Sequence, residues 1–210
     1  MPLAKQLKIA VEDYLQGELS SDIKHEYVNG DVYAMAGASE AHNLVTGNLF
    51  AALHNHLRGT SCKVFVSDMK TYIQTKTVDR FYYPDIQVCC QKEDAAHYYK
   101  QSPTLIIEVL SDSTQRADRV EKFDNYRQIK SLEEYVLVSQ DKQNIEIYRR
   151  ADDWKITRAT ENDNFCFVSL GLNLNVTDVY QGVNFFNDIS SSDQAIYSNA
   201  LNSQRNNFPR

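Results

Sequence analysis

LIIEVL, Leu105 to Leu110, sets one carboxylate in the middle of an apolar run. Side chains alternate across a strand, so Leu105, Ile107 and Val109 point to one face and Ile106, Glu108 and Leu110 to the other. A carboxylate there is costly to bury without a cationic partner or a metal. The run therefore predicts a strand and marks Glu108 as a candidate functional residue.

Upstream, Tyr83 to Cys90 reads as a strand opening on Pro84-Asp85. Proline is tolerated where a strand begins, and Asp85 then stands where the chain enters the sheet. Asp85 and Glu108 lie 23 positions apart. On neighbouring strands their carboxylates converge on one point, which suits a hard divalent cation with oxygen ligands such as Mg²⁺ or Mn²⁺. Such an ion polarises a phosphodiester oxygen and acidifies water. An ammonium beside it would stabilise the developing negative charge. The expected candidate is Lys122, on the amphipathic helix read over Ser111 to Lys130. There Val120, Phe123 and Tyr126 form the apolar stripe, with Ser113 or Thr114 as the cap.

Further out, Asn29-Gly30 lies between two β-prone runs in HEYVNGDVYAM and predicts a type I′ hairpin over His25 to Met35. Ser39 is placed to cap a helix from Glu40 to Arg58, closed by Gly59. A helix over Lys5 to Gln16 precedes the hairpin. Strands are expected at Lys63 to Val66, Lys70 to Thr75, Glu134 to Ser139 and Ile145 to Arg149, with a last one within Phe165 to Leu174. The order predicts an α/β or α+β domain with a mixed sheet flanked by helices over residues 1–186, followed by an Asn- and Ser-rich tail over 187–210.

These segments resemble the Uma-two family, or domain of unknown function 820, restriction-endonuclease-like proteins of the PD-(D/E)XK nuclease superfamily. The matching blocks are EYVNGDVYAMAGASEAHN, Ser67-Asp68, YYPDIQV, LIIEVLSDST, and Asp118 through Lys122 and Tyr126 to EEYVLV, within roughly residues 5–185. In the superfamily motif a lysine stands two positions after the second acid. Leu110 occupies that position here, so the resemblance implies that the lysine has moved to the helix as Lys122. It also implies a divalent metal at Asp85 and Glu108, with Glu26 and His42 on family-like positions. Glu26 would serve as an accessory acid, and His42 as a contact to phosphate or to a carboxylate. DNA is the implied substrate, and a homodimer fits two-strand cleavage. The competing readings are a non-catalytic module that binds nucleic acid or protein, and a hydrolase of another phosphate ester.

Composition bounds this reading. With 210 residues and 42% hydrophobic side chains the chain can build a core. Its net charge of −6 argues against strong non-specific DNA binding but leaves room for a local basic cleft. No apolar run is long enough to span a membrane and no signal core follows Met1 to Lys8, so a cytoplasmic protein is expected. The four cysteines show no CxxC pair and are expected as reduced thiols.

Overall fold

The computed structural model describes residues 8–75, 78–91, 94–111 and 115–185. The expected 187–210 tail, the Ser113 or Thr114 cap and the first residues of the N-terminal helix lie outside them. In chain order the elements are α1 Val11–Glu18, β1 His25–Val28, β2 Asp31–Ala34, α2 Glu40–His56, β3 Lys63–Val66, β4 Lys70–Gln74, β5 Asp79–Tyr82, β6 Ile86–Cys89, β7 Tyr99–Lys100 and β8 Leu105–Leu110. There follow α3 Gln115–Ala117, a π turn Asp118–Lys122, α4 Phe123–Tyr126, β9 Glu134–Ser139, β10 Asn144–Arg149, β11 Ile156–Thr160, β12 Asn164–Phe167, β13 Leu172–Asn175 and α5 Val176–Val179.

The fold is mixed α and β, as expected, with β8 at its centre. A six-stranded sheet runs β11-β10-β9-β8-β6-β3, parallel only between β8 and β9. On one face Leu105, Ile107 and Val109 meet Val45, Leu49 and Leu53 of α2. On the other, Ile106 and Leu110 pack with Tyr126, Ile129, Leu132 and Tyr135. All six residues of β8 are buried, so the alternation in LIIEVL reports two cores rather than one. Fully burying one such aliphatic side chain stabilises by roughly 1.5–3 kcal/mol.

A second, five-stranded sheet runs β2-β1-β5-β4-β7. The hairpin of β1 and β2 turns at Asn29 (φ 52°) and Gly30 (φ 92°), the left-handed pair that a type I′ turn demands. One face carries Tyr14, Tyr27, Tyr72 and Phe81. The other adds Ile73 and Tyr82 to the core around Tyr126.

Several expectations are corrected. The run ending at Cys90 opens at Ile86, after an unforeseen strand, β5; Pro84 has no N–H to continue a ladder, so the chain passes from one sheet to the other across Tyr83–Asp85. The region Phe165 to Leu174 contributes to two strands, not one, and β11 was not expected at all. The helix after β8 contains a π turn. Its wider winding rotates residues by less than the 100° of an α-helix, so Val120 swings out to 55% exposure while Asp118 and Lys122 turn inward. Finally, Cys62 and Cys90 are joined in a disulfide, against the expectation of reduced thiols. The β3–β6 register pairs Lys63 with Cys89, so Cys62 and Cys90 are the next residues to face each other. Cys89 stays a buried free thiol, pushed up to about 12 by burial. Among the described residues no helix is long and apolar enough to cross a membrane.

One buried acid belongs to the framework. Glu134 opens β9 and accepts from Arg149 Nε at 3.0 Å and from the N–H groups of Val168 and Ser169 at 3.2 and 2.9 Å. Breaking a buried pair leaves an uncompensated charge, so Glu134→Ala should cost about 3–5 kcal/mol. A urea midpoint unchanged from wild type would refute this.

Candidate active site

Asp85 and Glu108 face each other because of strand register. β6 and β8 are antiparallel with Ile86 opposite Ile107, so one step further Asp85 stands opposite Glu108. The ladder ends there and the two residues interlock instead. The Asp85 carboxylate (Oδ2) accepts the Val109 N–H at 2.7 Å, and Glu108 Oε2 accepts the Asp85 N–H at 3.3 Å.

Glu108 is 3% exposed on the face shared with Tyr126, whose hydroxyl donates to Glu108 Oε1 at 3.1 Å. Burial holds the Glu108 carboxyl well above the ordinary glutamate range. Lys122 opposes that shift, while Asp118, Asp85 and Glu26 add to it.

The π turn brings Lys122 in. Its ammonium lies 2.9 Å from Glu26 Oε1, 3.2 Å from Asp118 Oδ1 and 3.5 Å from Glu108 Oε1, and 5.5 Å from the centre of the Tyr82 ring. Burial alone would push this ammonium down, but Glu108, Glu26 and Asp118 together hold it well above the ordinary lysine value. Glu26 reaches the lysine from β1, in the other sheet. His42 comes from the first turn of α2, where Ser39 accepts the His42 N–H at 3.1 Å and fixes the helix start. Its Nε2 lies 3.2 Å from Asp85 Oδ2. Burial pushes the imidazole down, but the Asp85 contact outweighs it and the net shift is upward.

The structure thus gathers all five residues singled out in the sequence, Glu26, His42, Asp85, Glu108 and Lys122, from five different parts of the chain. Sequence reasoning did not single out Asp118, 2% exposed, and took Tyr126 only as part of the apolar stripe. The overlooked signal was the spacing Asp118, Lys122, Tyr126, every fourth residue on one helical face. Tyr135 adds a brace, its hydroxyl donating to the Asp118 carbonyl at 2.9 Å.

Three carboxylates therefore surround the Lys122 ammonium, and a fourth, Asp85, stands opposite Glu108 and pairs with His42. Asp118 Oδ1 and Glu26 Oε1 are buried at ion-pair distance from it without an aligned hydrogen bond. Among the described residues no group of three or more His, Cys, Asp and Glu is placed to hold a metal ion. Two facing carboxylates with surplus negative charge fit instead an ion that keeps most of its waters, which is the habit of Mg²⁺.

A model of the Uma2 family, described as "Putative restriction endonuclease", matches residues 11–178. This chain belongs to the Uma2 family. Two proteins of Synechocystis sp. are similar to this chain. The uncharacterized protein slr1290 is 36% identical over 187 residues, covering 88% of this chain and 97% of its own length. The uncharacterized protein sll1609 is 33% identical over 162 residues, covering 75% and 90%. The crystal structure of a nuclease-annotated DUF820 protein from Anabaena variabilis superposes with a TM-score of 0.69 at 14% identity, covering 84% of this chain and 99% of that one. At that identity the likeness establishes a shared fold. This Uma2 protein is restriction-endonuclease-like in family and in architecture.

Proposed function

We propose that this Uma2 protein is a metal-dependent endonuclease that hydrolyses phosphodiester bonds in DNA. The reading rests on one observation: Asp85 and Glu108 oppose each other on adjacent strands with the Lys122 ammonium 3.5 Å from Glu108. Asp85 and Glu108 are the residues that would hold Mg²⁺ or Mn²⁺. When bound, that cation would polarise the scissile phosphodiester and acidify a water.

The remaining roles belong to the protein's own side chains. Lys122 stabilises negative charge as it develops on the phosphoryl oxygens. Glu26 and Asp118 hold the lysine in place from both sides. His42 and the Val109 N–H set the orientation of Asp85. Tyr126, itself fully buried, fixes the rotamer of Glu108.

The test is calorimetric titration with Mg²⁺ and Mn²⁺, run alongside cleavage of plasmid and linear DNA. Wild type is expected to bind one ion weakly and to cleave only with metal. Asp85→Ala is expected to lose both. Equal metal affinity in wild type and Asp85→Ala would overturn the site. Metal binding without cleavage of any DNA would favour a binding module on the nuclease fold.

A further inference from the structure

A polyanion cannot approach a site of four carboxylates and one ammonium without positive charge close by. One cleft adjoining the site supplies it. Its floor is Leu110, Ser111 and Ser139, at the C-terminal ends of the parallel strands β8 and β9, and its walls include Gln115, Arg119 and Lys142, enclosing about 380 Å³. The C-terminal edge of parallel strands is where open α/β sheets place ligands.

Residues lining the cleft are chain neighbours of residues in the candidate site. Leu110 follows Val109, whose N–H holds Asp85. Arg119 sits on the same π turn as Asp118 and Lys122 but points away from them, into an ion pair with Glu146. Ser39, which caps the helix carrying His42, donates to the Gln140 side chain at 2.7 Å, next to the cleft's Asp141.

Its chemistry is that of an anion groove. Arg119 shares the Glu146 carboxylate with Arg158, which stands outside the cleft lining, so Glu146 is not given over to Arg119 alone. Asp141 offsets Lys142, while Gln115 and Ser139 bring neutral polar groups. A second cleft, lined by Ala151, Asp152, Asp153, Lys155 and Thr157, has acids in excess and repels the same ligand.

We propose that this cleft binds the phosphodiester backbone of the DNA strand beside the scissile bond, with Arg119 and Lys142 contacting its phosphates. The proposal rests on the nuclease reading and adds the path of the substrate. Base edges take no part in it, so its contribution is independent of sequence.

The experiment measures fluorescence anisotropy of a labelled DNA duplex with the full chain in Ca²⁺, across a series of salt concentrations. Lys142 is exposed, so Lys142→Glu should fold normally, which a thermal melt checks. It is expected to weaken binding about tenfold on any sequence. The slope of log affinity against log salt should fall by about 0.9 for the lost phosphate contact. Gln115→Ala should weaken binding a few-fold, and Lys155→Glu, in the other cleft, should leave it unchanged. Wild-type affinity in Lys142→Glu, or an equal loss in Lys155→Glu, overturns the cleft while the nuclease reading stands. A wild-type chain that binds RNA but no DNA overturns the substrate assigned to it. A chain that binds no nucleic acid at all takes down both readings.

Discussion

Glu108→Gln is expected to make the metal-free protein more stable at neutral pH while abolishing metal-dependent cleavage. Burial, with Asp118, Asp85 and Glu26 nearby, holds the folded-state pKa of Glu108 above the ordinary value of about 4.3, against the pull of Lys122. A raised folded pKa means stability that is fully present below the unfolded pKa and is lost as pH rises through the folded one. Once ionised, Glu108 is a buried charge that glutamine avoids, and the gain over the ionised wild type should be on the order of 1 kcal/mol, or about 2–4 °C in Tm. The difference should shrink to nothing in acid, where Glu108 is itself neutral. Mg²⁺ should raise the Tm of the wild type and leave Glu108→Gln unmoved. A variant less stable than wild type at pH 7 would mean that Glu108 serves mainly as the counter-ion of Lys122.

Much of this was legible in short-range pattern. Alternation in LIIEVL, the Asn29-Gly30 turn and Ser39 as a cap each depend on a few neighbouring residues, and each predicts its element. The acids were legible for a related reason. Glu108 violates the apolar pattern around it, and Pro84 marks where Asp85 enters a strand. Family resemblance then supplied what periodicity does not, namely that Glu26 and His42, on distant segments, belong with them.

What escaped was non-local or written in weak pattern. Nothing within Cys62 or Cys90 announces that β3 and β6 pair antiparallel, and only that pairing makes the disulfide. β11 is mostly exposed, so it has no apolar alternation to read. The π turn is a more instructive failure. The stripe Val120, Phe123, Tyr126 has good α-helical spacing, but only Phe123 and Tyr126 reach the core; the chain gives up Val120 and buries Asp118 and Lys122 together with Glu108. That exchange sets a local preference against an ionic cluster, and such conflicts between local and global preference are expected at functional sites.

Lys122→Met should reduce cleavage on the order of 10²-fold or more, as when one transition-state stabiliser is removed. A lysine on a helix surface would tolerate this change with little effect on folding. Lys122 is instead 8% exposed and balances three carboxylates, so its loss leaves Glu26, Asp118 and Glu108 buried against one another. Removing one partner of such a cluster costs about 3–5 kcal/mol, and lost activity could then be lost fold. Two further variants separate the effects. Lys122→Arg keeps the charge and should stay folded, yet cleave at least about tenfold more slowly, because a planar guanidinium cannot occupy the ammonium's place between three acids. Pairing Lys122→Met with Asp118→Asn removes an acid together with the base, which should recover stability without activity. Leu110→Lys in that background should restore part of the cleavage, since residue 110 shares the face of Glu108. If Lys122→Met and Lys122→Arg both fold and cleave like wild type while Asp85→Ala is inactive, the metal site stands and the helix-borne lysine has no part in the reaction.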